Sequence, residues 1–164
     1  GYSLISKTKR FNALVFGGEK ATVMAGRQEV LGHHNIRMIP VKEDMSHLFL
    51  VNEALDNNEI MSMPADRIIG SAKSVTSVFM EAEARFPAGP LSVATMKGLD
   101  VLAVNVMKTS AKHYKVYVAR LSYDKQAPRR QQMQQLADSY VKELERRVRQ
   151  YPLQWFNFYD FWSR

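Results

Sequence analysis

Asp66 and Arg67, in the run Pro64-Ala65-Asp66-Arg67 with Gly70 and Ser71 close behind, form the most suggestive polar cluster of the sequence. A guanidinium offers a planar fork that fits phosphate or carboxylate, and a carboxylate beside it either orients that fork or reaches a substrate hydroxyl. The same residues also suit a purely structural Asp–Arg turn, and residue type alone does not decide. A second cluster, Lys108, Lys112, Lys115 and Arg120 with His113, contains no acidic residue. It suits a phosphorylated partner such as a carrier, or simply a solvated hairpin end. Gly17-Gly18-Glu19-Lys20-Ala21-Thr22 stands where a strand hands over to a helix, a place that favours anions. It matches neither the dinucleotide fingerprint nor the full phosphate loop, and reads as a plain turn.

Hydrolytic and metal chemistry find little support. The histidines are His33, His34, His47 and His113, none lies in H-E-x-x-H, and no acidic residue stands at helical spacing to complete a zinc site. No G-x-S-x-G elbow is present. With no cysteine, thiol catalysis, disulfides and cysteine-ligated metals are excluded, and a reducing compartment is the default. Lys and Arg outnumber Asp and Glu by 23 to 16, and this net +7 attracts polyanions: nucleic acid, anionic head groups or phosphorylated carriers. Nucleic-acid binding would need aromatics interleaved with basic residues on an exposed sheet, and Tyr114, Tyr117 and Tyr123 show that only faintly.

Periodicity supplies the elements that must position these residues. Asn12–Phe16 reads as a strand, Lys20–Leu31 as a helix stopped by Gly32, and Ile36–Val41 as the next strand. Asp44 is placed to cap a helix from Met45 to about Leu55, and Ile60–Met63 is a third strand closed by Pro64. Alternating strands and helices argue for a parallel sheet. From Ser74 the pattern becomes two short extended segments turning at Met80-Glu81, then a helix from Pro90 to Lys97 ended by Gly98. Val101–Met107 is almost wholly apolar, as in a strand buried on both faces, with Tyr114–Leu121 as its partner. A long helix starts near Pro128 and keeps its apolar spacing, from Met133 to Val148, almost to Tyr151. Its acid-first pairs Asp138/Lys142, Glu143/Arg147 and Glu145/Arg149 suggest a solvated outer face. The expected fold is α/β, with a parallel or mixed central sheet, flanking helices and a long C-terminal helix.

Seven aromatic residues crowd into Tyr151–Trp162. They must fold back on the core or meet a membrane interface beside Arg146, Arg147 and Arg149; Asn157 and Asp160, which interrupt a clean lipid face, favour the first. A chain of 164 residues with 46% hydrophobic and 24% charged residues reads as one globular domain, Gly1–Arg164. No apolar run approaches the ~18–20 residues of a membrane span. The abrupt start at Gly1, where Met would stand, suggests a tag remnant ahead of the C-terminal part of something longer.

Ser62-Met63-Pro64-Ala65-Asp66-Arg67, Phe86-Pro87-Ala88-Gly89-Pro90, Val101-Leu102-Ala103-Val104 and Tyr151-Pro152-Leu153-Gln154-Trp155-Phe156-Asn157-Phe158 together resemble the lysophospholipid acyltransferase superfamily. The similar branch is that of the bacterial lipid A biosynthesis (lauroyl/myristoyl) acyltransferases, and the likeness runs in register from about Phe11 to Trp162. It implies transfer of a fatty acyl group from an acyl-carrier-protein or coenzyme A thioester, with no bound cofactor, to a hydroxyl of a lipid or glycolipid. The setting it implies is the cytoplasmic face of the inner membrane. In that family a His and an Asp separated by four residues remove the acceptor's proton. Here the fifth positions after His33, His34, His47 and His113 are Met38, Ile39, Asn52 and Val118. The resemblance therefore implies a truncated acyltransferase-like domain, inactive alone, with the catalytic pair upstream of Gly1. It aligns Asp66-Arg67 with the block that helps hold the acceptor, and Gly98–Val104 with a block in which Asp100 replaces a frequent Pro. Lys108, Lys112, Lys115 and Arg120 become the expected carrier-docking surface. Two alternatives remain open: a non-catalytic binding module for anionic lipid or a phosphorylated carrier, and self-pairing of two copies through an exposed sheet edge.

Overall fold

In a computed structural model the described residues are 8–16, 35–42, 44–68, 73–158 and 161–162. The chain falls into two compact units, Gly1–Pro64 and Ala65–Arg164. The expected helix Lys20–Leu31, the Gly17–Thr22 turn, His33, His34, Gly70 and Ser71 lie outside the described residues.

In the first unit β1 (Phe11–Phe16), β2 (Ile36–Val41) and β3 (Ile60–Ser62) form a parallel sheet in the order β2-β1-β3. Parallel pairing requires crossovers, and the one between β2 and β3 carries helix α1 (His47–Asp56), which buries Val51 and Ala54. The helix begins two residues later than its expected start. Met45 sits in the left-handed region at φ 58° while Asp44 Oδ1 accepts from the Ser46 N–H at 2.9 Å, so a turn is spent before the first helical residue. Central-strand Asn12 is fully buried, and its Nδ2 donates to Glu59 Oε2 (2.8 Å) and to the Ile60 carbonyl (3.2 Å). These bonds tie β1 to the start of β3.

The second unit opens with the expected hairpin, β4 (Ser74–Phe79) against β5 (Ala82–Pro87). Its two-residue turn has Met80 at φ 53° and Glu81 at φ 71°, the paired positive values of a type I′ turn, which normally selects Asn-Gly. Glu145 holds this turn by accepting from the Met80 N–H at 2.9 Å. That bond, and then the Arg149 guanidinium, keep the Glu145 carboxyl below the usual glutamate range. Because a left-handed non-glycine residue is strained, Glu81→Gly is expected to raise stability by about 0.5–1 kcal/mol, read as a higher midpoint in thermal unfolding.

Helix α2 (Ala88–Met96) starts two residues before the expected Pro90, since a proline is tolerated in the first turn where its missing N–H has no helical partner. Gly98, at φ 59°, closes it as expected. The antiparallel ribbon of β6 (Val101–Lys108) and β7 (Tyr114–Leu121) follows, then the 22-residue helix α3 (Arg129–Gln150). Helix α3 is the spine of the unit: Val141, Leu144 and Val148 pack with Phe79, Phe86 and Phe161, and Leu136 and Ala137 with Leu91, Ala94, Ala103 and Leu121. Tyr140 packs against both clusters.

Two expectations are corrected. Strand β6 is not buried on both faces: Ala103 faces the core while Leu102, Val104 and Val106 are exposed, because the ribbon has only two strands and a single face packed on the core. The helix pairs do not all make a solvated face. Asp138 turns from Lys142 to accept from Ser77 Oγ (2.7 Å) and Gln134 Nε2 (2.9 Å), and Glu143–Arg147, which does form at 2.8 Å, sets a half-buried carboxylate against a buried guanidinium. Glu145–Arg149 forms at 2.8 Å as expected.

Candidate functional site

The chain after α3 explains where Arg67 is held. A 3₁₀ turn, Pro152–Gln154, follows Tyr151, and the backbone then runs extended past Trp155. Trp155 and Phe161 pack on Phe79 at ring separations of 5.1 and 5.5 Å, so this part of the aromatic run folds back on the core as expected. Asn157 follows close behind. Arg67 Nη2 donates to its Oδ1 (3.0 Å) and to the Phe156 carbonyl (3.1 Å), across about ninety residues of sequence.

Asn157 Nδ2 and Trp155 Nε1 are buried without a hydrogen-bond partner among the described residues, an arrangement that costs free energy unless something accepts from them. Tyr140 lies near: burial first, and the Asp66 carboxylate second, push its hydroxyl well above the usual tyrosine range, so it stays protonated. Asp66 is half-buried and Arg67 exposed. An exposed guanidinium beside a carboxylate suits a ligand with an anionic group and a hydroxyl.

The second sequence cluster is divided. Lys108, Lys112 and Lys115 gather at the hairpin end of the β6–β7 ribbon, where His113 Nδ1 meets Ser110 Oγ at 2.8 Å. Arg120 lies at the other end, opposite Leu102, and pairs with Asp100 at 3.1 Å. Arg120 and Lys125 in turn lower the Asp100 carboxyl below its usual range, Lys125 more strongly. His47 is a neighbour of its helix start: its Nδ1 accepts from the Lys42 N–H at 3.2 Å. A groove of about 880 Å³ along α3 has Arg120, Asp138, Lys142 and Arg146 in its walls and neither Asp66 nor Arg67. It is wide open and its charges are mixed, so Arg67 beside Asp66 is the better candidate. Among the described residues no group of acidic or histidine side chains could hold a metal, and no helix is long and apolar enough to cross a membrane.

Asn157, Trp155 and Tyr140 were not identified as site residues from sequence. One signal existed, a lone amide interrupting an aromatic run. Buried Arg147 was likewise hidden: it lies 4.0 Å over the Tyr117 ring, whose hydroxyl meets that of Tyr151 at 2.6 Å. This bond, and then Lys115, hold Tyr117 below the usual tyrosine range, while the same bond and burial hold Tyr151 above it.

No curated protein gives a significant match. The family model of the bacterial lipid A biosynthesis acyltransferases matches residues 21–164, nearly the whole chain and all of the Ala65–Arg164 unit that carries Arg67. The chain belongs to the bacterial lipid A biosynthesis acyltransferase family.

Proposed function

We propose that this chain supplies the acceptor-holding part of an enzyme that moves a fatty acyl group from an acyl-carrier-protein or coenzyme A thioester to a lipid or glycolipid hydroxyl. The observation that carries the reading is the mooring of Arg67 on Asn157 and the Phe156 carbonyl, with Asp66 alongside. Arg67 takes an anionic group of the acceptor, and Asp66 orients the acceptor by a hydroxyl. The acceptor oxygen attacks the thioester carbonyl, the carbon–sulfur bond breaks, and the sulfur leaves as the thiol once the hydroxyl proton is delivered to it. That proton needs a base. No histidine here has an aspartate five positions on, so the reading assigns the base to a His-x-x-x-x-Asp pair outside residues 1–164. The reaction belongs at a membrane surface on the cytoplasmic side, where its lipid acceptor lies.

The test is acyl transfer by the natural full-length polypeptide, with labelled acyl-carrier protein as donor and the mass of the acylated lipid as readout. A product heavier by one acyl chain, absent when residues 1–164 are assayed alone, is expected. Lipid binding with no acyl product from the full-length polypeptide would instead favour a binding module.

A further inference from the structure

The part of the C-terminal aromatic run that does not fold back on the core is exposed in a particular way. Leu153 and Phe158 are each 89% exposed and Phe156 is 63% exposed, three large apolar side chains within six residues. Exposed hydrophobics of this density are unusual on a soluble surface. The segment is nonetheless held firmly. Gln154 grips the backbone of Lys108 with both ends of its amide, accepting from the N–H at 2.8 Å and donating to the carbonyl at 2.9 Å. On the other side Arg67 holds residues 156 and 157. Nothing in these bonds requires Leu153, Phe156 or Phe158 to face outward, and the two phenylalanine rings lie side by side, 6.3 Å apart.

The Gln154 grip also fixes what stands beside this apolar ridge. Lys108 is the last residue of β6, so the ridge adjoins the ribbon end that carries Lys112 and Lys115 as well. Among the described residues no carboxylate pairs with any of these three lysines, and neither 108–115 nor 151–158 contains an acidic residue. Apolar side chains rimmed by lysines that no described carboxylate neutralises match the layering of an anionic lipid surface, apolar below and phosphate above.

We propose that Leu153–Phe158 is a membrane-docking ridge, in which Leu153, Phe156 and Phe158 enter the acyl boundary of an anionic bilayer while Lys108, Lys112 and Lys115 meet head-group phosphates. A lipid surface fits better than an acidic carrier, because a carrier would satisfy the lysines and leave the ridge uncovered. The inference deepens the acyl-transfer reading by naming where the enzyme meets its lipid; it is measured without turnover, so it can fail while that reading stands.

The experiment is co-sedimentation of the 164-residue chain with phosphatidylcholine vesicles, with and without phosphatidylglycerol. Binding is expected to need phosphatidylglycerol and to weaken with salt. Leu153→Ser with Phe158→Ser should lower partitioning about tenfold to a hundredfold, two partly inserted side chains' worth. Lys108→Glu with Lys112→Glu should lower it further and leave thermal unfolding unchanged. Phe49→Ser removes a side chain 79% exposed elsewhere and serves as the control. An equal loss from Phe49→Ser, no vesicle binding by the wild-type chain, or binding to acyl-carrier protein that Leu153→Ser with Phe158→Ser weakens while vesicle binding persists would each overturn the proposal.

Discussion

Phe79→Ala is expected to destabilise the Ala65–Arg164 unit by about 3–5 kcal/mol, the usual cost of emptying a buried phenylalanine site. Phe79 is fully buried at the centre of an aromatic cluster, in contact with Phe86, Trp155, Phe161 and Trp162 at ring separations of 5.1 to 6.1 Å. Its carbonyl also accepts from Trp162 Nε1 at 3.1 Å. These partners come from β5 and from the segment after α3, so the cavity cannot close by moving one element. Urea denaturation measures the change, and Phe79→Leu, which keeps most of the volume, should recover well over half of the loss. Because Trp155 neighbours the Arg67 mooring, the alanine variant should also loosen that contact. A change below about 1 kcal/mol would mean that the cluster is not packed as described.

Arg147→Met is expected to cost about 3 kcal/mol, for an electrostatic reason rather than a volume one. Arg147 is 5% exposed; it donates to Glu143 Oε1 and Gln150 Oε1, each at 2.8 Å, and covers the Tyr117 ring. Methionine preserves the apolar stem but leaves the half-buried Glu143 carboxylate, among the described residues, with only the more distant Arg146 at 3.8 Å. Removing that charge as well should undo most of the damage. In a double-mutant cycle, Glu143→Leu combined with Arg147→Met is therefore expected to be more stable than Arg147→Met alone. Simple additivity of the two losses would show that the pair is not coupled.

The sequence carries its fold where signals are local. The turn at Met80-Glu81 was readable because alternation on each side leaves only those two residues to reverse the chain, although neither is a usual left-handed residue. Helix α3 was readable because its apolar spacing runs unbroken for about four turns, from Met133 to Val148. What misled was a shared signal: Val101–Met107 looks the same in a strand covered on both faces and in a ribbon packed on one. Acid-first spacing likewise proposes a pair without saying whether water reaches it, so Glu143–Arg147 and Glu145–Arg149 were indistinguishable until α3 was packed. The candidate site was half visible. Asp66-Arg67 stood out as a charged pair after a strand, but the residues that hold Arg67 lie near position 157, and no local pattern joins them.

Steady-state kinetics of the natural full-length polypeptide carrying Arg67→Ala and Arg67→Lys test most directly whether Arg67 holds the acceptor. Loss of one charge-assisted hydrogen bond should raise the acceptor KM about tenfold to a hundredfold in the alanine variant. Lysine, which keeps the charge without the fork, should fall between, and the donor KM should not move. An unchanged acceptor KM, or a rise in the donor KM alone, would contradict the assignment.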